Sequence, residues 1–183
     1  MKLFLTLENY IHLVRSDKKL RELAAVLEKG NKSIILEAVR SLKEGEPFEG
    51  AIALLAAFYD SASDKSLLKS IESFFNDIKY QSASSEVIAE IHKPWKANTI
   101  SMLISSCWQS GLDYSGYLAD MAAAYLEADY ATAIECMTVI EESVIRSSRK
   151  DKDDIIKLVL DSPLAYSHEK SPLTSELVSI LQR

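Results

Sequence analysis

The chain has 183 residues, 48% of them hydrophobic and 26% charged, and a formal net charge of −6 at pH 7. That apolar content is high enough for a folded chain with a sizeable core and excludes a disordered one. An acidic chain without a run of Lys or Arg is poorly matched to phosphate backbones, so nucleic acid is not an expected partner.

The first segment, MKLFLTLENYIHLV, is interrupted by Glu8 and has no small-residue cleavage site, so no signal peptide is expected. No stretch reaches the ~20 apolar residues of a membrane span, which predicts a cytoplasmic protein with no membrane partner. Leu20, Leu23, Ala24 and Leu27 form a helical stripe that Gly30 ends. Asn31 can cap the next helix, which sets Ile34, Ile35, Ala38, Val39 and Leu42 on one face. Pro47 is suited to open a helix to about Tyr59 that is apolar almost all round. Asp64 caps a further helix with Leu67, Leu68, Ile71, Phe74, Phe75 and Ile78 facing in. A short helix from Ser84 or Ser85 to near His92 follows, then one from Pro94 through Gln109. Gly111 and Asp113 make a turn and a cap. Helices are predicted from about Tyr114 to Glu127, Tyr130 to Arg146, Asp154 to Leu160 and Pro172 to Leu181, with Pro163 as a stop. No segment shows the period-two alternation of a half-buried strand.

Two of these helices begin alike. NKSIILEAVRSL starts at Asn31 and DKSLLKSIESFF starts 33 residues later at Asp64. Further second helices start near Pro94 or Trp95 and near Asp129, again about one such period apart. A near-constant period points to stacked helical hairpins, because one hairpin cannot bury its apolar face alone.

The stretch Lys96 to Ser143 resembles HEAT repeats: a helix, a Gly turn, a helix ending in an Asp-containing turn, then a helix with small residues early. Gly111, Leu118, Met121, Leu126, Asp129, Ala131, Ala133, Ile134 and Met137 carry the resemblance, which extends over roughly Asp17 to Ile145 in diverged copies. The Arg usual early in the second helix is absent, with Ala131 and Thr132 in that region. The segment AYLEADYATAIEC also looks like a tetratricopeptide turn, the pattern of a peptide-binding module. However, Ala128 stands where that family has Gly, the turn is a residue short, and no second copy occurs. The HEAT resemblance implies an all-α, right-handed α-α superhelix: one solenoid domain over residues 1–183 of about five hairpins, with 1–16 and 163–183 as capping segments. It also implies a concave groove lined by the second helices, which binds another macromolecule; it does not imply catalysis.

The stripe opposite the apolar face of each second helix predicts that lining. It comprises Glu37, Arg40 and Glu44; then Ser70, Ser73 and Asp77; then Ser101, Ile104 and Trp108 with Ser105 beside them; then Glu135, Thr138 and Glu142. Arg40 is the one cation in it. Trp108 either anchors a partner, as buried Trp does at binding hot spots, or packs between repeats. Residues 97–145 contain seven acids and no Lys or Arg, a field that suits a basic partner. Helix capping by Asp113 and Asp129 accounts for part of it.

Catalytic and metal chemistry has little support. His12, His92 and His168 are widely separated, there is no HExxH, and DKDD at Asp151 to Asp154 lacks the Gly and Glu of a calcium loop. No GxGxxG, P-loop or GxSxG motif occurs. Cys107 and Cys136 sit in apolar helical surroundings and read as reduced core thiols. HEAT-like DNA glycosylases use a basic concave face with aromatic and acidic residues at its centre. Trp108 with Glu142 or Asp77 would supply the second part, but the basic face is missing. The expectation is a non-catalytic scaffold or adaptor without cofactor or metal, a monomer or homodimer, binding a protein partner whose basic charge would suit the acidic stretch.

Overall fold

The computed structural model describes residues 17–45 and 48–183, which form helices joined by short turns and 3-10 segments, with no strand among them. The expected capping segment 1–16 and the role of Pro47 lie outside the described residues. The chain divides into two compact units, Met1–Phe74 and Phe75–Arg183.

In the first unit, residues 17–29 are helical (α1), followed by α2 (Lys32–Glu44), α3 (Ala51–Ser61) and α4 (Lys65–Asn76), whose last residues pass into the second unit. Asn31 caps α2 by accepting from the Ile34 N–H at 3.2 Å. Asp64 does the same for α4, accepting from the N–H groups of Ser66 at 2.9 Å and Leu67 at 3.2 Å. Each cap satisfies donors that a helix start leaves without intrahelical partners. α3 begins at Ala51, later than Pro47, because Phe48 to Gly50 form a turn closed by Ala51 N–H to the Phe48 carbonyl at 3.0 Å. Gly50 holds φ +85, a conformation that other residues rarely adopt, so the turn needs glycine; a Cβ there would also press on Leu20 Cδ1 at 3.0 Å. Leu23, Leu27, Ile35, Val39, Ile52, Leu55, Leu67 and Ile71 are buried and make the core. Tyr59 Oη donates to Glu72 Oε1 at 2.6 Å, tying α3 to α4.

The second unit continues with α5 (Ser84–Ile91), α6 (Ala97–Gln109), α7 (Leu118–Glu127), α8 (Tyr130–Ser143), α9 (Arg149–Leu160) and α10 (Lys170–Gln182). α8 packs on both α6 and α7, α9 on α7 and α10, and α10 on α8. Val87, Leu103, Ile104, Met121, Tyr125, Ile140, Val159 and Leu177 are buried between them. α9 starts five residues before the expected Asp154. Only Ile155 and Val159 of it are buried, so its first turns show no apolar period. They are held by polar groups instead. Ser148 Oγ accepts from Asp151 N–H, and ion pairs join Arg149 to Asp153 at 2.9 Å and Lys150 to Asp154 at 3.0 Å. The Asp-rich segment is therefore a helix start. Pro163 opens a 3-10 turn, Pro163–Tyr166, capped by Ser162.

Helices α2, α4, α6 and α8 begin at Lys32, Lys65, Ala97 and Tyr130, which are 33, 32 and 33 residues apart. The period is more regular than the sequence suggests, because α6 begins after Pro94 and Trp95 rather than on them.

Candidate functional site

The predicted lining falls into two groups, one in each unit. In the first unit, Arg40 of α2 and Ser70 and Ser73 of α4 border one cleft of about 470 Å³, together with Leu36, Val39, Lys43, Ser66 and Lys69. Glu37 stands beside it and pairs with Arg40 at 2.8 Å. Lys43 Nζ donates to Ser73 Oγ at 2.9 Å across the cleft. Arg40 is thus joined by two further cations. Lys43 and Lys69 lie three residues from Arg40 and Ser66 on their own helices, just off the stripe that was followed in the sequence. A wider strip of each helix face would have included them.

In the second unit, Ser101, Ser105 and Trp108 of α6 are half-buried, as are Glu135 and Thr138 of α8, while Glu142 and Asp77 are exposed. Trp108 Nε1 donates to Glu135 Oε2 at 2.5 Å. Gln109 accepts from Asn76 Nδ2 at 2.7 Å and donates to Ser105 Oγ at 2.7 Å. Thr138 Oγ1 donates back to the Ile134 carbonyl at 3.1 Å. Ile104, placed on the lining by the stripe, has 0% exposure and belongs to the core. The structure therefore joins Trp108 to Glu135, and Ser105 through Gln109 to the end of α4. Among the described residues no direct bond joins Ser101 or Glu142 to this group.

A larger cavity, of about 630 Å³, lies elsewhere in the second unit. The α5–α6 turn supplies His92, Lys93, Pro94 and Trp95, and the end of α7 and start of α8 supply Glu127, Asp129 and Thr132. Its polar groups are largely engaged with the protein. His92 Nε2 is 2.7 Å from Asp120 Oδ1, Lys93 donates to Glu90 Oε1 at 2.6 Å, and Asp129 accepts from Thr132 N–H at 2.8 Å. Trp95 Nε1 is buried without a hydrogen-bond acceptor among the described residues. The sequence places Trp95 at a helix start, whereas it lies in the turn before α6, as the preceding Pro94 signals.

No family model, curated protein or solved structure matches the chain.

The acids do different work. Backbone N–H groups lower the carboxyl pKa of Asp113, through Ser115, and of Asp129, through Thr132. Asp113 also pairs with Arg146 at 3.2 Å. Glu141 lies 3.6 Å from Arg183. Part of the acidic stretch is thus committed to caps and ion pairs, and Glu142 is left on the exposed face of α8. Cys107 and Cys136 are free thiols, buried among α6 and α8 residues, and burial pushes both up to about 12. Among the described residues no three His, Cys, Asp or Glu side chains come together as a metal site, and no helix is long and apolar enough to cross a membrane.

Proposed function

We propose that the chain is a non-catalytic helical-repeat scaffold or adaptor of HEAT-like, right-handed superhelical form, which binds a protein partner through the acidic face of its second helices. The observation that carries the reading is the near-constant start of α2, α4, α6 and α8 together with bonds one period apart. Lys32 meets Asp64, Asn76 meets Gln109, and Gln81 meets Asp113 by two bonds to its backbone, each pair 32 or 33 residues apart. Equivalent positions in neighbouring hairpins touch, which is what stacking requires. Within the second unit the contacts of α6 with α8, α7 with α9 and α8 with α10 follow the same rule. The acids of residues 97–145 left outside caps and ion pairs, Glu142 on α8 among them, support a basic surface on the partner. The buried, unpaired thiols suit a reducing, cytoplasmic setting.

The test is affinity capture with the wild type and with a Trp108→Ala, Glu142→Lys double variant as baits, both checked for folding by circular dichroism. A protein retained by the first and lost from the second is the expected result. A partner held equally by both removes the groove assignment. Preferential capture of nucleic acid would overturn the adaptor reading.

A further inference from the structure

We infer that the cleft between α2 and α4 docks an acidic segment of a protein partner, with an apolar side chain of that segment seated on half-buried Leu36 and its flanking carboxylates meeting Arg40 and Lys69. This rests on reading the second helices as the binding face, and it assigns the first unit's part of that face a charge opposite to that of α8.

The cleft lining holds three cations, three serines and two aliphatic residues, and no carboxylate. In a chain of net charge −6 that is a local reversal of sign. Glu37 offsets only part of it. Its pair with Arg40 is two-thirds exposed on the Arg side and 60% on the Glu side, so the guanidinium is open to a competing carboxylate. Lys69 is exposed and makes no ion pair among the described residues. Lys43 spans the cleft to Ser73 Oγ, so the cations open to a newcomer are Arg40 on α2 and Lys69 on α4. A carboxylate in this mouth would meet charge-assisted donors from both helices. Complementarity of this kind steers encounter and fixes register.

The floor distinguishes the occupant. A free inorganic anion would leave the half-buried Leu36 unused, and a cleft of about 470 Å³ is far larger than such an ion. A nucleic-acid strand would need aromatic faces for its bases, and the lining contains none. An apolar side chain flanked by Glu or Asp uses both floor and rim.

The experiment uses the full chain and short fluorescein-labelled helical peptides carrying a central Leu flanked by Glu. Companion peptides replace Glu by Lys, or Leu by Ser. Fluorescence anisotropy should show binding of the Leu–Glu peptide, weaker binding of the Ser peptide and none of the Lys peptide. Lys69→Glu and Arg40→Glu should each weaken binding by about tenfold or more, the scale of a lost interfacial charge contact. Lys150→Glu, a reversal on α9 outside both proposed surfaces, should leave binding unchanged, and loss of peptide binding with capture through Trp108 and Glu142 intact would remove this cleft alone. No binding of the Leu–Glu peptide, equal binding of the Lys peptide, or insensitivity to both cleft variants overturns the proposal. So does a poly-dT oligonucleotide that binds with the same variant sensitivity.

Discussion

The indole N–H of Trp108 and the carboxylate of Glu135 lie 2.5 Å apart and join α6 to α8. Both side chains are half-buried, so the bond is made at the edge of the core, where water competes for it. A neutral donor to a charged acceptor is stronger than a neutral pair, and partial exposure reduces that advantage. A double-mutant cycle with Trp108→Phe and Glu135→Ala, followed by urea unfolding, should give a coupling of about 1 kcal/mol. Additive single changes would show that the bond does not hold the helices together.

Lys170 is the most buried cation among the described residues, with 8% exposure. Its Nζ donates to the carbonyls of Tyr125 at 2.9 Å and Leu126 at 2.7 Å, closing the end of α7 from the start of α10. Those carbonyls lack intrahelical donors, so the lysine acts as a C-terminal cap from another helix. Lys170→Met keeps the stem and removes the donors. A loss of about 2 kcal/mol in unfolding free energy is expected, from carbonyls left buried and unpaired. A variant as stable as the wild type would mean that water reaches those carbonyls.

The sequence made some of these features legible and hid others for identifiable reasons. Asn31, Asp64 and Asp129 announce helix starts because capping is local chemistry, and the structure shows each accepting a backbone N–H. The core face of α4 follows from its apolar period, and that of α2 only in part: Ile35 and Val39 are buried, whereas Ile34 is exposed. The start of α9 does not, since ion pairs and a Ser cap replace apolar residues there. The α2–α4 cleft was only half visible. Arg40, Ser70 and Ser73 were on the predicted stripe, whereas Lys43 and Lys69 come in from beside it. Lys170 was invisible for a different reason: its partners are carbonyls more than 40 residues away, and carbonyls carry no side-chain signature.

Three aspartates set an acid limit on stability. Asp64 is held well below the usual carboxylate range, first by Lys32 and then by the Ser66 hydroxyl and the Leu67 N–H. Asp113 and Asp129 are lowered chiefly by the N–H groups of Ser115 and Thr132. A depressed folded pKa means that the unfolded chain takes up protons first. The contribution is whole above the unfolded carboxyl pKa of about 4 and is lost as pH falls through it towards the folded values. Asn keeps the accepting oxygen but cannot titrate. The Asp64→Asn, Asp113→Asn, Asp129→Asn variant should therefore show a shallower fall in unfolding free energy between pH 5 and pH 2, measured by urea titration at each pH. A slope identical to that of the wild type would place the acid sensitivity in other carboxylates.

The two thiols give the alkaline counterpart. Cys107 has 1% exposure, donates to the Leu103 carbonyl at 3.3 Å and is pushed up to about 12 by burial; Cys136 has 0% exposure and is pushed equally far. Unfolded thiols ionise near pH 8.5. Between that pH and the folded values the unfolded chain has lost protons that the native chain retains, so stability falls as pH rises. Replacing both by Ala should flatten the fall in unfolding free energy from about pH 8.5 to pH 10, at some cost in core packing at every pH. A native chain at pH 8 should also react with a disulfide reagent only as fast as it opens. The rate should rise with urea along the same slope as the opening equilibrium. Rapid, urea-independent modification would place the thiols at an accessible surface and remove the basis of both expectations.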